Sequence, residues 1–308
     1  MVDNNIVRLC ELSGIPSSIS HKPIVVVTTS DGISLHALHV NTPSDNKKII
    51  IAIHGTASNF YEEPFIDVMT DVLPNSDWAV LSTNNRGHDV LTGWSKRPPG
   101  ASSEQFEKCL LDIDAWIAYA KKLGYKDIVL QGHSLGAEKV IYYVNEGKYA
   151  KDITAIILLG PADSVEYQYK FMKDKGNNLE TELLAEAERL VKEKKGQQFL
   201  TTYWLSHFGA CPQDAASFLD FFKPGSTLGT VLPFKTGKLP MVKNVKVPML
   251  VVIGDIHEYT VIPVEKAMKL LKNENKNCET FILHCNHDFE GKEDKLTAII
   301  KDFLSKKL

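Results

Sequence analysis

A serine stands between two glycines, Gly132-His133-Ser134-Leu135-Gly136, at the point where the apolar run DIVLQ (127–131) ends and the stretch AEKVIYYV (137–144) begins. The pattern is G-x-S-x-G, and a strand before it with a helix after it is the context in which the pattern has a mechanical meaning. Glycines at 132 and 136 leave room for a sharp, strained turn that pushes the Ser134 hydroxyl out at a helix N-terminus. There the helix dipole and the free N–H groups favour developing negative charge. The chemistry such a serine performs is attack on a carbonyl, which needs a base, an acid to orient the base, and donors aimed at the oxyanion. One donor is expected to be the N–H of Leu135, the residue after the nucleophile. A Gly-rich turn with an incidental serine is the bland alternative.

The elements that must position this serine are legible from periodicity. Short Ile/Val-rich runs alternate with longer amphipathic stretches, the pattern of strands and helices taking turns in an open parallel sheet. KPIVVVTT and ISLHALHV, joined by SDG, read as an opening hairpin. IIIAIHG reads as a third strand, NFYEEPFIDVMTDVL as the helix after it, WAVLSTNNRGHD as a fourth strand and its turn, and EQFEKCLLDIDAWIAYAKKLG as the next helix. DIVLQG is the fifth strand and ITAIILLG the sixth. Residues 164–245 then break the rhythm: they are more polar, with the helical stretch LETELLAEAERLVKEKK, the aromatic segment FLTTYWLSHF and no strand of comparable quality. The rhythm resumes with VPMLVVIG, helix VEKAMKLLKN, strand TFILHCNH and helix DKLTAIIKDFLSKK. The expected organisation is therefore a core of residues 1–163 and 246–308 with an insertion of 164–245.

At this point the chain resembles the alpha/beta-hydrolase superfamily over essentially its whole length. The pieces that carry the resemblance are HGTASN after the third strand, NNRGHD after the fourth, GHSLG after the fifth, GDIHEY after the seventh and CNHDF after the eighth. The resemblance implies an α/β fold, a mostly parallel eight-stranded sheet flanked by helices, with 164–245 as a helical lid after strand 6. It places a second oxyanion donor at Thr56, where Gly55 lets the backbone come close. It also implies the chain order Ser, acid, His, so the base must come late. TFILHCNHDF offers His284, expected inside the strand, and His287, just past its end and hence the expected base.

The acid is where the sequence departs from the common pattern. Many relatives carry an aspartate three residues after the glycine of the turn, and here that position is His257. Glu258, one residue later and with an extra methylene of reach, is the first choice; Asp255 is the second; Asp163 in GPADS, after the sixth strand, is the third. The acid's task is to hold the tautomer of His287 and stabilise its cation.

The implied function is a serine hydrolase acting on a carboxylic ester, lactone or thioester through an acyl-enzyme, with a small acyl substrate and no cofactor. An acyltransferase or cyclase using the same residues, and a binding protein on a hydrolase frame, are the alternatives. Trp94 in the loop LTGWSKRPPGASS, and Tyr203, Trp204 and Phe208 in the insertion, are candidates for the substrate pocket, although aromatic stripes more often simply pack. Arg86 is expected as a structural anchor. His54, His88, His133, His257 and His287 all fall near strand ends, yet neither HxH with a following Asp nor HExxH is present, so no metal site is expected.

Composition excludes other classes. A chain of 308 residues with 44% hydrophobic and 24% charged residues can bury a substantial core. A formal charge of -3, scattered basic residues and no zinc-finger or RNP-type run argue against nucleic-acid binding. Five cysteines without CxxC suit reduced thiols and a cytoplasmic location. MVDNNIVRLCEL lacks the basic patch and apolar core of an export signal, and no apolar run approaches the roughly 20 residues of a membrane span. The oligomeric state is not encoded in any of these features.

Overall fold

The computed structural model describes residues 24–44, 46–92, 100–176, 178–201, 204–206 and 209–308, without the side chains of 204–206 and 209–210. Its centre is an eight-stranded sheet made of β1 (Ile24–Thr28), β2 (Ser34–Val40), β3 (Lys48–Ile53), β4 (Ala79–Thr83), β5 (Asp127–His133), β6 (Ile153–Leu159), β9 (Met249–Gly254) and β10 (Cys278–Leu283). The strand order is β1-β2-β4-β3-β5-β6-β9-β10. β1 and β2 form the antiparallel opening hairpin, β2 runs antiparallel to β4, and every later pairing is parallel. β4, β6 and β9 are apolar runs buried on both faces, as central parallel strands require, whereas β2 alternates and the edge strand β10 exposes Phe281 and Ile282.

Helices cover both faces. α1 (Pro64–Val72) and α9 (Glu293–Lys307) pack on one side, with Phe65, Met69, Ile300 and Phe303 against Val80, Val129 and Val252. α2 (Cys109–Lys122), α3 (Leu135–Glu146) and α8 (Val264–Glu274) cover the other, with Trp116, Ile117 and Val140 against Ile51, Leu81 and Leu130. Because β3 pairs with both β4 and β5, the winding reverses between β3 and β5. Open α/β sheets bind ligands outside the carboxyl ends of the strands at such a switch. The two segments leaving those ends here begin at His54-Gly55 and at Ser134.

The insertion between β6 and β9 contains α4 (Ser164–Lys175), α5 (Leu179–Lys192), α6 (Ala215–Phe222) and α7 (Pro240–Asn244). It also contains a short antiparallel pair, β7 (Trp204–Ser206) and β8 (Gly209–Cys211), in a stretch whose sequence has no strand of a quality comparable to those of the sheet. The insertion is docked through polar contacts as well as through Phe218, Phe222 and Phe234 in the core: Ser217 Oγ donates to the Glu104 carbonyl at 2.6 Å, and the Phe106 amide donates to Asp220 Oδ2 at 2.6 Å.

Candidate active site

Ser134 joins β5 to α3 with φ 55° and ψ −124°, a left-handed conformation that a non-glycine residue adopts only under constraint. The neighbouring glycines explain how the turn is tolerated. A Cβ on Gly132 would lie 2.2 Å from the Gly136 carbonyl oxygen, and a Cβ on Gly136 would lie 2.3 Å from that of Ile53. Helix and strand thus approach to a distance only glycine permits. Gly55 also comes close, since its Cβ would meet the Ser134 Cβ at 2.9 Å.

His287 follows β10 in a loop and is 3% exposed. Its Nδ1 lies 2.7 Å from Glu258 Oε2, and the same carboxylate accepts the Gly254 amide through Oε1 at 2.9 Å. Glu258 reaches this position because His257 turns left-handed at φ 57°, which carries the chain one residue further before a carboxylate faces the histidine. The two other acid candidates are engaged elsewhere: Asp255 pairs with His284 at 3.0 Å on the surface, and Asp163 caps α4 by accepting the Glu166 amide. Burial pushes the Asp163 carboxyl up to about 6. His284, expected within the strand, lies just beyond it, because β10 ends at Leu283.

With Nδ1 turned to the carboxylate, His287 Nε2 is buried with no hydrogen-bond partner among the described residues, and His287 lines a cavity of about 450 Å³ together with Ser134. Gly160, at φ +52°, clears the space behind the ring; a Cβ there would come within 2.8 Å of His287 Cε1. Gly160→Ala is accordingly expected to lower kcat by about a hundredfold, the effect of misplacing a reacting group by roughly 1 Å, with little change in KM. Steady-state kinetics on the folded variant checks this.

Thr56 lines the same cavity, and no described residue accepts a hydrogen bond from the amide of Thr56 or of Leu135. The Thr56 loop is anchored by a residue whose role the sequence did not reveal. His54 Nδ1 donates to the Gly55 carbonyl at 2.7 Å, while Nε2 accepts the Asn85 amide at 2.9 Å. Burial lowers its pKa to about 3, with the Lys139 charge adding to the effect, so the ring stays neutral and ties the ends of β3 and β4 together. Arg86 anchors the adjoining turn, forking to Asp112 at 2.8 Å and Asp31 at 2.9 Å.

The family model for "Protein of unknown function (DUF1749)" matches residues 18–228. The chain belongs to that family. No match to a curated protein emerges. Among solved structures, this DUF1749 chain is similar to Est1E from Butyrivibrio proteoclasticus with ferulic acid bound, at 20% identity and a TM-score of 0.64 over 92% of this chain and 99% of that one. It is also similar to an esterase of Pyrococcus furiosus, at 18% identity and a TM-score of 0.58 over 92% and 91% of the two chains. A soluble variant of the Saccharomyces cerevisiae monoglyceride lipase, in complex with a substrate analogue, aligns at 14% identity and a TM-score of 0.62 over 91% and 94%. The fold is that of the alpha/beta hydrolases.

Trp94, Tyr203 and Phe208 lie outside the described residues, as does the side chain of Trp204. Sequence reasoning missed several residues that do line the cavity: Tyr259, whose ring stands edge-on to His287 at 4.6 Å, Tyr167, Cys211, and the carboxylates Glu63 and Asp288. Tyr259 and Asp288 stand inside GDIHEY and CNHDF, but no periodicity marks which of these side chains reach the cavity. His133, His287 and Asp288 offer polar atoms within 4.8 Å of one another, but the two ring nitrogens of His133 face Glu63 and a main-chain carbonyl, which makes the cluster a charge and hydrogen-bond network. Among the described residues no helix is long and apolar enough to cross a membrane.

Proposed function

We propose that this protein is a serine hydrolase that cleaves a carboxylic ester, lactone or thioester through an acyl-enzyme. Ser134 Oγ attacks the carbonyl as His287 Nε2 takes its proton; Glu258 holds His287 in the Nδ1–H tautomer and stabilises the imidazolium. The amides of Thr56 and Leu135 receive the oxyanion, His287 returns the proton to the leaving group, and the same histidine then activates water to release the acyl group. The insertion 164–245 acts as the lid. The observation that carries this reading is the strained Ser134 lining one cavity with a histidine whose Nε2 has no partner among the described residues and whose Nδ1 is bound to a buried carboxylate. A binding protein on a hydrolase frame would be favoured by an acid turn that left His287 without a carboxylate, and Glu258 Oε2 at 2.7 Å from its Nδ1 supports the hydrolase instead.

The test is covalent labelling by a fluorophosphonate, with the modified residue located by mass spectrometry and short-chain aryl esters assayed in parallel. Labelling at Ser134 with ester turnover supports the reading; a folded protein that neither labels nor turns over esters overturns it. Products formed with a competing alcohol or amine distinguish hydrolysis from acyl transfer.

The cavity wall bears on substrate charge. Besides Glu63, which faces the cation of His133 in the same wall, it carries Glu62, Asp288 and Glu290, and no lysine or arginine among the described lining residues. Bringing one more negative charge to within several ångströms of these groups costs on the order of 1 kcal/mol even at high effective dielectric. An aryl butyrate is therefore expected to be cleaved with a kcat/KM about tenfold above that of the hemisuccinate with the same leaving group. Equal values would show that the acidic wall does not face the acyl group.

A further inference from the structure

His133, the residue before Ser134, is 4% exposed, yet both of its ring nitrogens face acceptors. Nε2 donates to the main-chain carbonyl of His287 at 3.0 Å, and Nδ1 stands 3.5 Å from Glu63 Oε1, an ion-pair contact too long for a hydrogen bond. A neutral imidazole has one N–H, so serving both acceptors takes the doubly protonated ring. The surroundings favour that form. Burial opposes the charge, but Glu63, then Asp288 3.9 Å from Nε2, and the His287 carbonyl hold the ring up to about 9. For Glu63, burial again opposes ionisation, while His133 and the hydroxyl of Ser58 bring it down to about 2. The groups facing His133 are thus Glu63 from the N-cap of α1, His287 and Asp288 from the loop after β10, and the rings of Phe65 and Phe289.

His287 sits on a loop, and Glu258 fixes only its side chain. A base must be held within a few tenths of an ångström between its acid and its nucleophile, so its main chain needs a second fixed point. We propose that His133, with Glu63 as counter-ion, is a positioning residue that clamps the main chain of the His287 loop to the C-terminal end of β5. This rests on the Ser134–His287–Glu258 reading above. The sign of the pH dependence follows. The folded value of His133 is raised above its ordinary 6.5, so the charge pair with Glu63 is complete below that pH and is lost as pH rises through about 9, whereas the Nε2–H tautomer of the neutral ring keeps its hydrogen bond to the His287 carbonyl. The Glu63 value is depressed, so its contribution is complete above the ordinary carboxylate range and lost only near pH 2.

Asparagine places an amide N–H near the position of Nδ1, and glutamine near that of Nε2. His133→Gln therefore keeps a donor for the His287 carbonyl and loses the charge, whereas His133→Asn loses the clamp. One readout does not depend on turnover: the downfield proton NMR resonance of His287 Nδ1–H, held 2.7 Å from Glu258. In His133→Asn this resonance is expected to broaden or vanish, and kcat to fall about tenfold or more with KM nearly constant. His133→Gln is expected to keep the resonance and to lose several-fold less activity. Glu63→Gln is expected to move the His133 titration, followed by proton NMR, from about 9 toward neutrality, while the His287 resonance persists because Nε2 keeps its proton. A sharp, unshifted His287 resonance in folded His133→Asn overturns the proposal, as does a His133 titration unchanged in Glu63→Gln. If His133→Asn fails to fold, Glu63→Gln and His133→Gln decide by the same two readouts. Should the wild type show no ester turnover while the resonance behaves as described, the hydrolase reading fails and the clamp stands.

Discussion

Ser134→Ala is expected to abolish fluorophosphonate labelling and to lower kcat for aryl esters by about 10⁴- to 10⁶-fold, leaving a residue of rate from binding and the oxyanion donors alone. The substitution removes one oxygen from a side chain that points into the cavity, so the fold has no reason to change, apart from the left-handed backbone that alanine must also adopt at φ 55°. That cost is shared by serine, and the melting temperature should stay within a few degrees of the wild type. KM should move little, because the hydroxyl acts in the transition state more than in the bound ester. Kinetics, mass spectrometry and a thermal melt on one preparation check all three expectations. Turnover within tenfold of the wild type would place the nucleophile elsewhere.

Glu258→Gln is expected to lower kcat by about 10⁴-fold, the loss produced when an amide replaces the carboxylate that fixes a catalytic histidine's tautomer. The amide can present either its oxygen or its NH₂ to Nδ1, and it carries no charge to offset the imidazolium. Oε1 also accepts the Gly254 amide, so the variant keeps a partner for that turn and should remain folded. Asp255→Asn and Asp163→Asn are the controls. Asp255 faces His284, whose ring is well exposed, and Asp163 caps α4, so each should change kcat less than tenfold. Rates of the three variants, measured on the same ester, assign the acid. A larger loss in Asp255→Asn than in Glu258→Gln would overturn the assignment made here.

The turn around Ser134 is readable in five residues because the forces that shape it are local. The steric limit at Gly132 and Gly136 is set by backbone atoms a few ångströms away, and the change from strand to helix shows in the period of the apolar residues. The eight strands of the sheet are readable for the same reason: β4, β6 and β9 are runs buried on both faces, and β2 alternates. The antiparallel pair β7–β8 was not, since three-residue strands are too short for a period to register.

The choice among Glu258, Asp255 and Asp163 lay beyond that reach. Two histidines and two carboxylates leave adjacent strand ends, and the sequence permits either pairing. The left-handed turn at His257 and the fit of the His287 ring over Gly160 bury one pair, with His287 at the cavity wall, and send Asp255 and His284 to the surface. The pairing of His133 with Glu63 depends likewise on the N-terminus of α1 meeting the end of β5. By itself, then, the sequence determined the order of the elements and the strained serine turn, through sterics and periodicity that act over a few residues. Only the tertiary structure decided which charges face one another, because electrostatic partners are set by which loops leave the same edge of the sheet.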